Sequence, residues 1–138
     1  MAEAKTKPGK ASVAAFLAKV AGDERRKDCA ALVKMMTAAS GAQPVLWGPS
    51  IVGFGTYTLR YASGREAEWP VIGFSPRKSA LVMYNLAGLP QFAKVRAKLG
   101  RHKAGGGCLY VTRLDDVDRA LLAGLFDAAV KAKKKKPL

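Results

Sequence analysis

Apolar residues recur at helical spacing along the first third of the chain. Val13, Phe16, Leu17 and Val20 fall at i, i+3, i+4 and i+7, one face of a helix, with Ser12 placed to cap its N-terminus. Gly22 ends that pattern. Asp23 opens a second one, in which Cys29, Leu32, Val33 and Met36 repeat the spacing until Gly41, with Pro44 just beyond. The two patterns predict an N-terminal helical hairpin.

From Pro44 the texture changes to short β segments. Tyr57, Leu59 and Tyr61 alternate with Thr56, Thr58 and Arg60, the period of two that marks a half-buried strand. After the turn Ala62-Ser63-Gly64, two further strands are predicted at Trp69–Phe74 and Ala80–Leu86, joined through Ser75-Pro76-Arg77-Lys78. Pro90 suits the first turn of a third helix, whose Phe92, Val95 and Leu99 face inward and which Gly100 stops. The stretch 101–107 reads as a glycine-rich connector to a last strand, Cys108–Thr112. Asp115 then caps a final helix, with Asp118 in the capping-box position and Val117, Leu121, Leu125 and Phe126 on its buried face. The order α-α-β-β-β-α-β-α, with mostly hairpin connections, predicts an α+β fold. Its antiparallel sheet has about four to five strands, with helices packed on one face. A single domain, 12–130, lies between a basic N-terminal tail, 1–11, and a lysine-rich C-terminal tail, 131–138.

Composition narrows the function classes. The 138 residues are 49% hydrophobic, enough for one core without staples. No apolar run approaches the roughly 20 residues that span a bilayer, so no membrane partner is expected. No signal-peptide pattern follows the basic N-terminus, and Cys29 and Cys108 lie far apart in apolar stretches, as small buried side chains do; the cytoplasm is the expected compartment. The net charge of +14 is unevenly spread: the first eleven residues carry +2, the five lysines of 131–136 carry +5, and the body keeps +7. Lysine tails bind polyanions without reading sequence, so weak nonspecific nucleic-acid binding at low salt is one expectation.

Three strings stand out: 46–55 (Leu-Trp-Gly-Pro-Ser-Ile-Val-Gly-Phe-Gly), 73–78 (Gly-Phe-Ser-Pro-Arg-Lys), and Leu99-Gly100-Arg101-His102-Lys103 running into Cys108-Leu109-Tyr110. In order and spacing they resemble the YdhG-like family, over about residues 12 to 130. That resemblance implies a frataxin-like α/β sandwich and raises the expectation of an iron chaperone. Iron on such a surface needs a ridge of oxygen ligands. The candidates here are Glu66 and Glu68 on one strand face and Asp115 and Asp116 at a helix start, in a body with only nine acids.

The remaining chemistry favours binding over catalysis. His102 is the single histidine and sits between Arg101 and Lys103, which disfavour its charged form. No Cys-x-x-Cys or His-x-x-x-His pair marks a metal, and no cofactor is expected. Trp47 can floor a ligand pocket or serve as a core aromatic before a Gly-Pro turn. Arg77 and Lys78 at a strand junction can grip a carboxylate or phosphate, or form a wet hairpin tip. His102, Lys103 and Gly105 can cradle an anion through charge and backbone N–H groups, although no Walker pattern is present. The expectation is a non-enzymatic module for a small anionic ligand or an acidic protein partner. Iron handling and nucleic-acid binding through the tails are the alternatives.

Overall fold

A computed structural model describes residues 13–20, 22–48, 50–60, 62–77, 80–105 and 107–135. The elements are α1 (Val13–Ala18), α2 (Asp23–Ser40), β1 (Pro44–Trp47), β2 (Ile51–Arg60), β3 (Glu66–Pro76), β4 (Leu81–Tyr84), α3 (Pro90–Leu99), β5 (Lys103–Gly105), β6 (Cys108–Val111), a 3-10 turn (Leu114–Asp116) and α4 (Arg119–Lys135). The α+β architecture read from the sequence is present. The N-terminal tail, the Ser12 cap, Tyr61, Lys78 and the last three residues lie outside the described residues.

The sheet has six strands in the order β1-β2-β3-β4-β6-β5, every neighbouring pair antiparallel, rather than four to five. The two unforeseen strands are its edges. β1 has four residues, and β5 has three, all exposed. Such short pieces are held by backbone pairing and need no alternating side-chain pattern, which is why 101–107 reads as a connector from sequence. The final helix also starts later than expected. Asp115 lies in the 3-10 turn, and Asp118 is the side chain that caps α4, its Oδ1 accepting from the N–H of Ala120 at 2.9 Å and of Leu121 at 3.1 Å.

Register decides which side of the sheet is covered. Leu46 faces Val52, Val52 faces Phe74, Phe54 faces Ile72, Phe74 faces Met83 and Met83 faces Leu109. These side chains share one face and belong to one core. Cys29, Leu32 and Met36 of α2, Phe92 and Leu99 of α3, and Leu122, Leu125, Phe126 and Ala129 of α4 join that core, and Phe16 and Leu17 of α1 pack against it. The described helices therefore cover a single face. Gly41 closes α2 in the left-handed conformation, φ 70°, its N–H bonded to the Thr37 carbonyl at 2.8 Å.

Among the described residues, the one charged group buried under the helices is Asp28, 2% exposed. Its Oδ2 accepts from Arg113 Nε at 2.9 Å and from the Leu114 N–H at 3.0 Å, and Arg113 reaches on to Glu24 at 2.7 Å. Burial pushes the Asp28 carboxyl up, but the hydrogen bonds from Arg113 and Leu114 and the Arg113 charge outweigh it and hold the group below the ordinary carboxylate range. This contact ties α2 to the turn before α4 across 85 residues of sequence.

Candidate functional site: a basic sheet end beside an aromatic face

The antiparallel registers bring three loops to one end of the sheet. Trp47 pairs with Ile51, Pro76 with Leu81, Leu81 with Val111, and Lys103 with Tyr110. Residues 48 and 50, residues 77 and 80 and the segment 101–103 thus gather where β1, β3 and β6 end and where β2, β4 and β5 begin. All three sequence strings singled out above contribute to that end.

Two open recesses lie there. One, of about 430 Å³, is lined by Phe16, Lys19, Arg25, Ser50, Pro76 and Arg77 among others. Its described lining holds three cationic side chains and no acid. Arg25 Nη1 is buried and has no hydrogen-bond partner among the described residues. Ser50 Oγ sits 3.4 Å from the hydroxyl of Ser75, which is itself fully buried. The second recess, of about 530 Å³, has Ala80, Arg101, His102, Lys103, Tyr110 and Thr112 in its walls. There His102 Nδ1 bonds the Gly100 carbonyl at 2.7 Å, and its ring meets Phe92 edge-on at 5.6 Å, with Arg96 over the same phenyl ring at 5.4 Å. Those contacts fix the imidazole's orientation.

The candidates from sequence are distributed as follows. Arg77 is exposed and lines the first recess, its Nη2 donating to the Tyr84 hydroxyl at 3.2 Å. His102 and Lys103 line the second, and Gly105 closes the hairpin opposite Cys108. Lys78 lies outside the described residues. Trp47 is 1% exposed, and its indole covers Gly53 so closely that a Cβ there would stand 2.6 Å from Trp47 Cδ1 and 2.7 Å from Pro70 Cβ. Trp47 is therefore a packing residue at this end and needs glycine at 53. Lys19 and Arg25 were missed because they sit on the polar side of helical patterns, where a solvated face is the ordinary reading; no local signal marks them.

The acids considered for iron are spread out and engaged. Glu68 Oε2 accepts from Thr58 Oγ1 at 2.9 Å, Glu66 sits opposite Arg60 at the far end of β2 and β3, Asp115 pairs with Arg119 at 2.8 Å, and Asp116 accepts from the Arg113 N–H at 3.3 Å. Among the described residues no three His, Cys, Asp or Glu side chains gather at metal-binding distance, and no helix is long and apolar enough to cross a membrane.

The sheet face turned away from the helices also carries aromatic side chains. Tyr57, directly opposite Trp69, lines with Ile51, Pro70, Tyr84 and Cys108 a small pocket of about 140 Å³. The indole Nε1 of Trp69 is buried without a partner among the described residues. Compared with family models, with curated proteins and with solved structures, the chain has no match.

Proposed function

We propose that this protein is a non-enzymatic binding module for a small anionic ligand, held at the basic end of the sheet by Arg25, Arg77 and Lys19. One observation carries the reading: Arg25, whose buried Nη1 has no partner among the described residues, lines a recess whose described lining has three cations and no carboxylate. An unpaired buried charged donor is costly, and an anion that enters relieves that cost. Arg77 supplies a second guanidinium, so a carboxylate or phosphate meets two forked donors and one ammonium. Arg101 and Lys103 extend the positive potential around the neighbouring recess, in whose wall His102 also stands. Membership of the YdhG-like family and a frataxin-like relation belong to the same proposal, supported by the three strings and by their gathering at one end.

The test is thermal unfolding with inorganic phosphate. At about ten times the dissociation constant, a native-state ligand adds about 1.4 kcal/mol, a rise of about 4 °C in Tm for a domain of this size. The Arg25→Ala/Arg77→Ala double variant is expected to lose that rise and to keep its fold, because exposed substitutions cost about 0.5 kcal/mol or less and Arg25 already lacks one of its bonds. An equal rise in the double variant overturns the reading.

A further inference from the structure

The aromatic pocket on the open face is a second, chemically different feature. Its volume of about 140 Å³ is close to the ~150 Å³ cavity that accepts one benzene ring, so a single six-membered ring fits. Tyr57, Trp69 and Tyr84 offer π faces and edges for stacking. The Trp69 Nε1–H, buried and without a partner among the described residues, is a donor that an acceptor on the occupant completes once the indole turns toward it. A purely apolar ring would leave that donor unsatisfied.

The pocket also adjoins the basic end. Ser50 lines the anion recess, and the next residue, Ile51, lines this pocket. Arg77 of the recess donates to the hydroxyl of Tyr84 in the pocket wall. A cation in the aromatic pocket would sit beside that guanidinium in a chain of net charge +14, whereas a neutral ring with an anionic substituent meets complementary charge. We propose that the pocket takes one planar six-membered heterocycle bearing a carbonyl acceptor, of the pyrimidine-base kind, and that a phosphate on the same molecule reaches Arg77. The ring site stands on the pocket alone; the phosphate clause rests on the anion site proposed above.

The test follows the two indole N–H resonances of the full chain by NMR, with the Trp69 signal assigned by its loss in Trp69→Phe. Thymidine is expected to move the Trp69 signal saturably, and thymidine monophosphate to bind about tenfold tighter. Arg77→Ala is expected to bring the monophosphate back to the thymidine affinity, and Trp69→Phe to weaken thymidine about tenfold by calorimetry while leaving the phosphate-dependent rise in Tm in place. Failure of phosphate to stabilise the protein, with thymidine still bound, removes the anion site and keeps the ring site. A short oligothymidine that binds far more tightly than the monophosphate identifies a single strand as the source, and equal affinities identify a free nucleotide. The ring site is overturned if thymidine, its monophosphate and the oligothymidine all leave the Trp69 signal unmoved. It is equally overturned if Trp69→Phe binds thymidine like the parent, or if tetramethylammonium moves the signal and thymidine does not.

Discussion

The two faces of the sheet solve the same problem in opposite ways. Under the helices, Val52, Phe54, Ile72, Phe74, Leu81, Met83 and Leu109 are fully buried, and the buried charged group there, Asp28, has its carboxylate bonded to Arg113 and Leu114. On the other face Trp47, Ser75 and Val82 are buried too, but Ile51, Tyr57, Trp69, Tyr84, Cys108 and Tyr110 are only half-buried. The buried polar atoms that lack partners among the described residues, Trp69 Nε1 and Arg25 Nη1, belong to side chains that line pockets of that open face and of the neighbouring basic end. A satisfied, closed face stabilises the fold; unsatisfied donors beside open space are what a ligand can complete.

The sharpest way to break this comparison is a pair of truncations on adjacent strands. Phe74→Ala is expected to cost about 3–5 kcal/mol in denaturant unfolding, since it empties the centre of the helix-covered core. Tyr84→Ala, one strand away on the open face, is expected to cost about 1 kcal/mol, because its ring is already partly in water. Equal losses would mean that the open face is as closed as the other.

Next in size is Asp28→Asn. The amide keeps an oxygen for the Leu114 N–H but loses the charge that meets Arg113, and the expected cost is about 2 kcal/mol at neutral pH. The sign with pH follows from the lowered carboxyl. Its stabilising contribution is fully present above the unfolded-state pKa of about 3.9 and is lost as pH falls through the still lower folded value. The parent is therefore expected to lose stability below about pH 4 more steeply than Asp28→Asn. Parallel pH profiles from urea unfolding would show that the buried pair contributes nothing of the kind.

How much of this was legible in the sequence follows the same division. Burial imprints a period, so Cys29, Leu32, Met36, Phe92, Leu99, Leu125 and Phe126 could be assigned to the core from spacing alone. Asp28 could not, because its partners lie 85 and 86 residues away and only tertiary contact shows them. Arg77, His102 and Lys103 were legible as candidates because each sits in a distinctive string. That Arg77 and Lys103 share one end of the sheet yet line different recesses depends on β6 inserting between β4 and β5, which no local pattern encodes. Lys19 and Arg25 reach the site only because α1 and the start of α2 reach that same end.

The smallest expected effect costs no stability and compares one residue type on both faces. Cys29 is fully buried beneath the helices, and burial pushes its thiol up to about 11. Cys108 lies half-buried in the aromatic pocket; burial raises its thiol too, opposed by the nearby Arg77 charge. Thiolate is the reactive form, so the two-unit rise at Cys29, from 9.0 to about 11, alone lowers its thiolate fraction about a hundredfold at pH 8. Exclusion of the reagent from the core slows it further. With a disulfide reagent at pH 8, one thiol per chain is expected to react from the folded state, and peptide mapping is expected to place it at Cys108. Cys29 is expected to react only at the rate of global unfolding, and to speed up in Phe74→Ala as that variant opens more often. Cys108 labelling, which needs no unfolding, is expected to keep its rate in that variant and to slow when thymidine fills the pocket. If both thiols follow unfolding, the face called open is closed in solution, and the contrast between the two sides of the sheet fails.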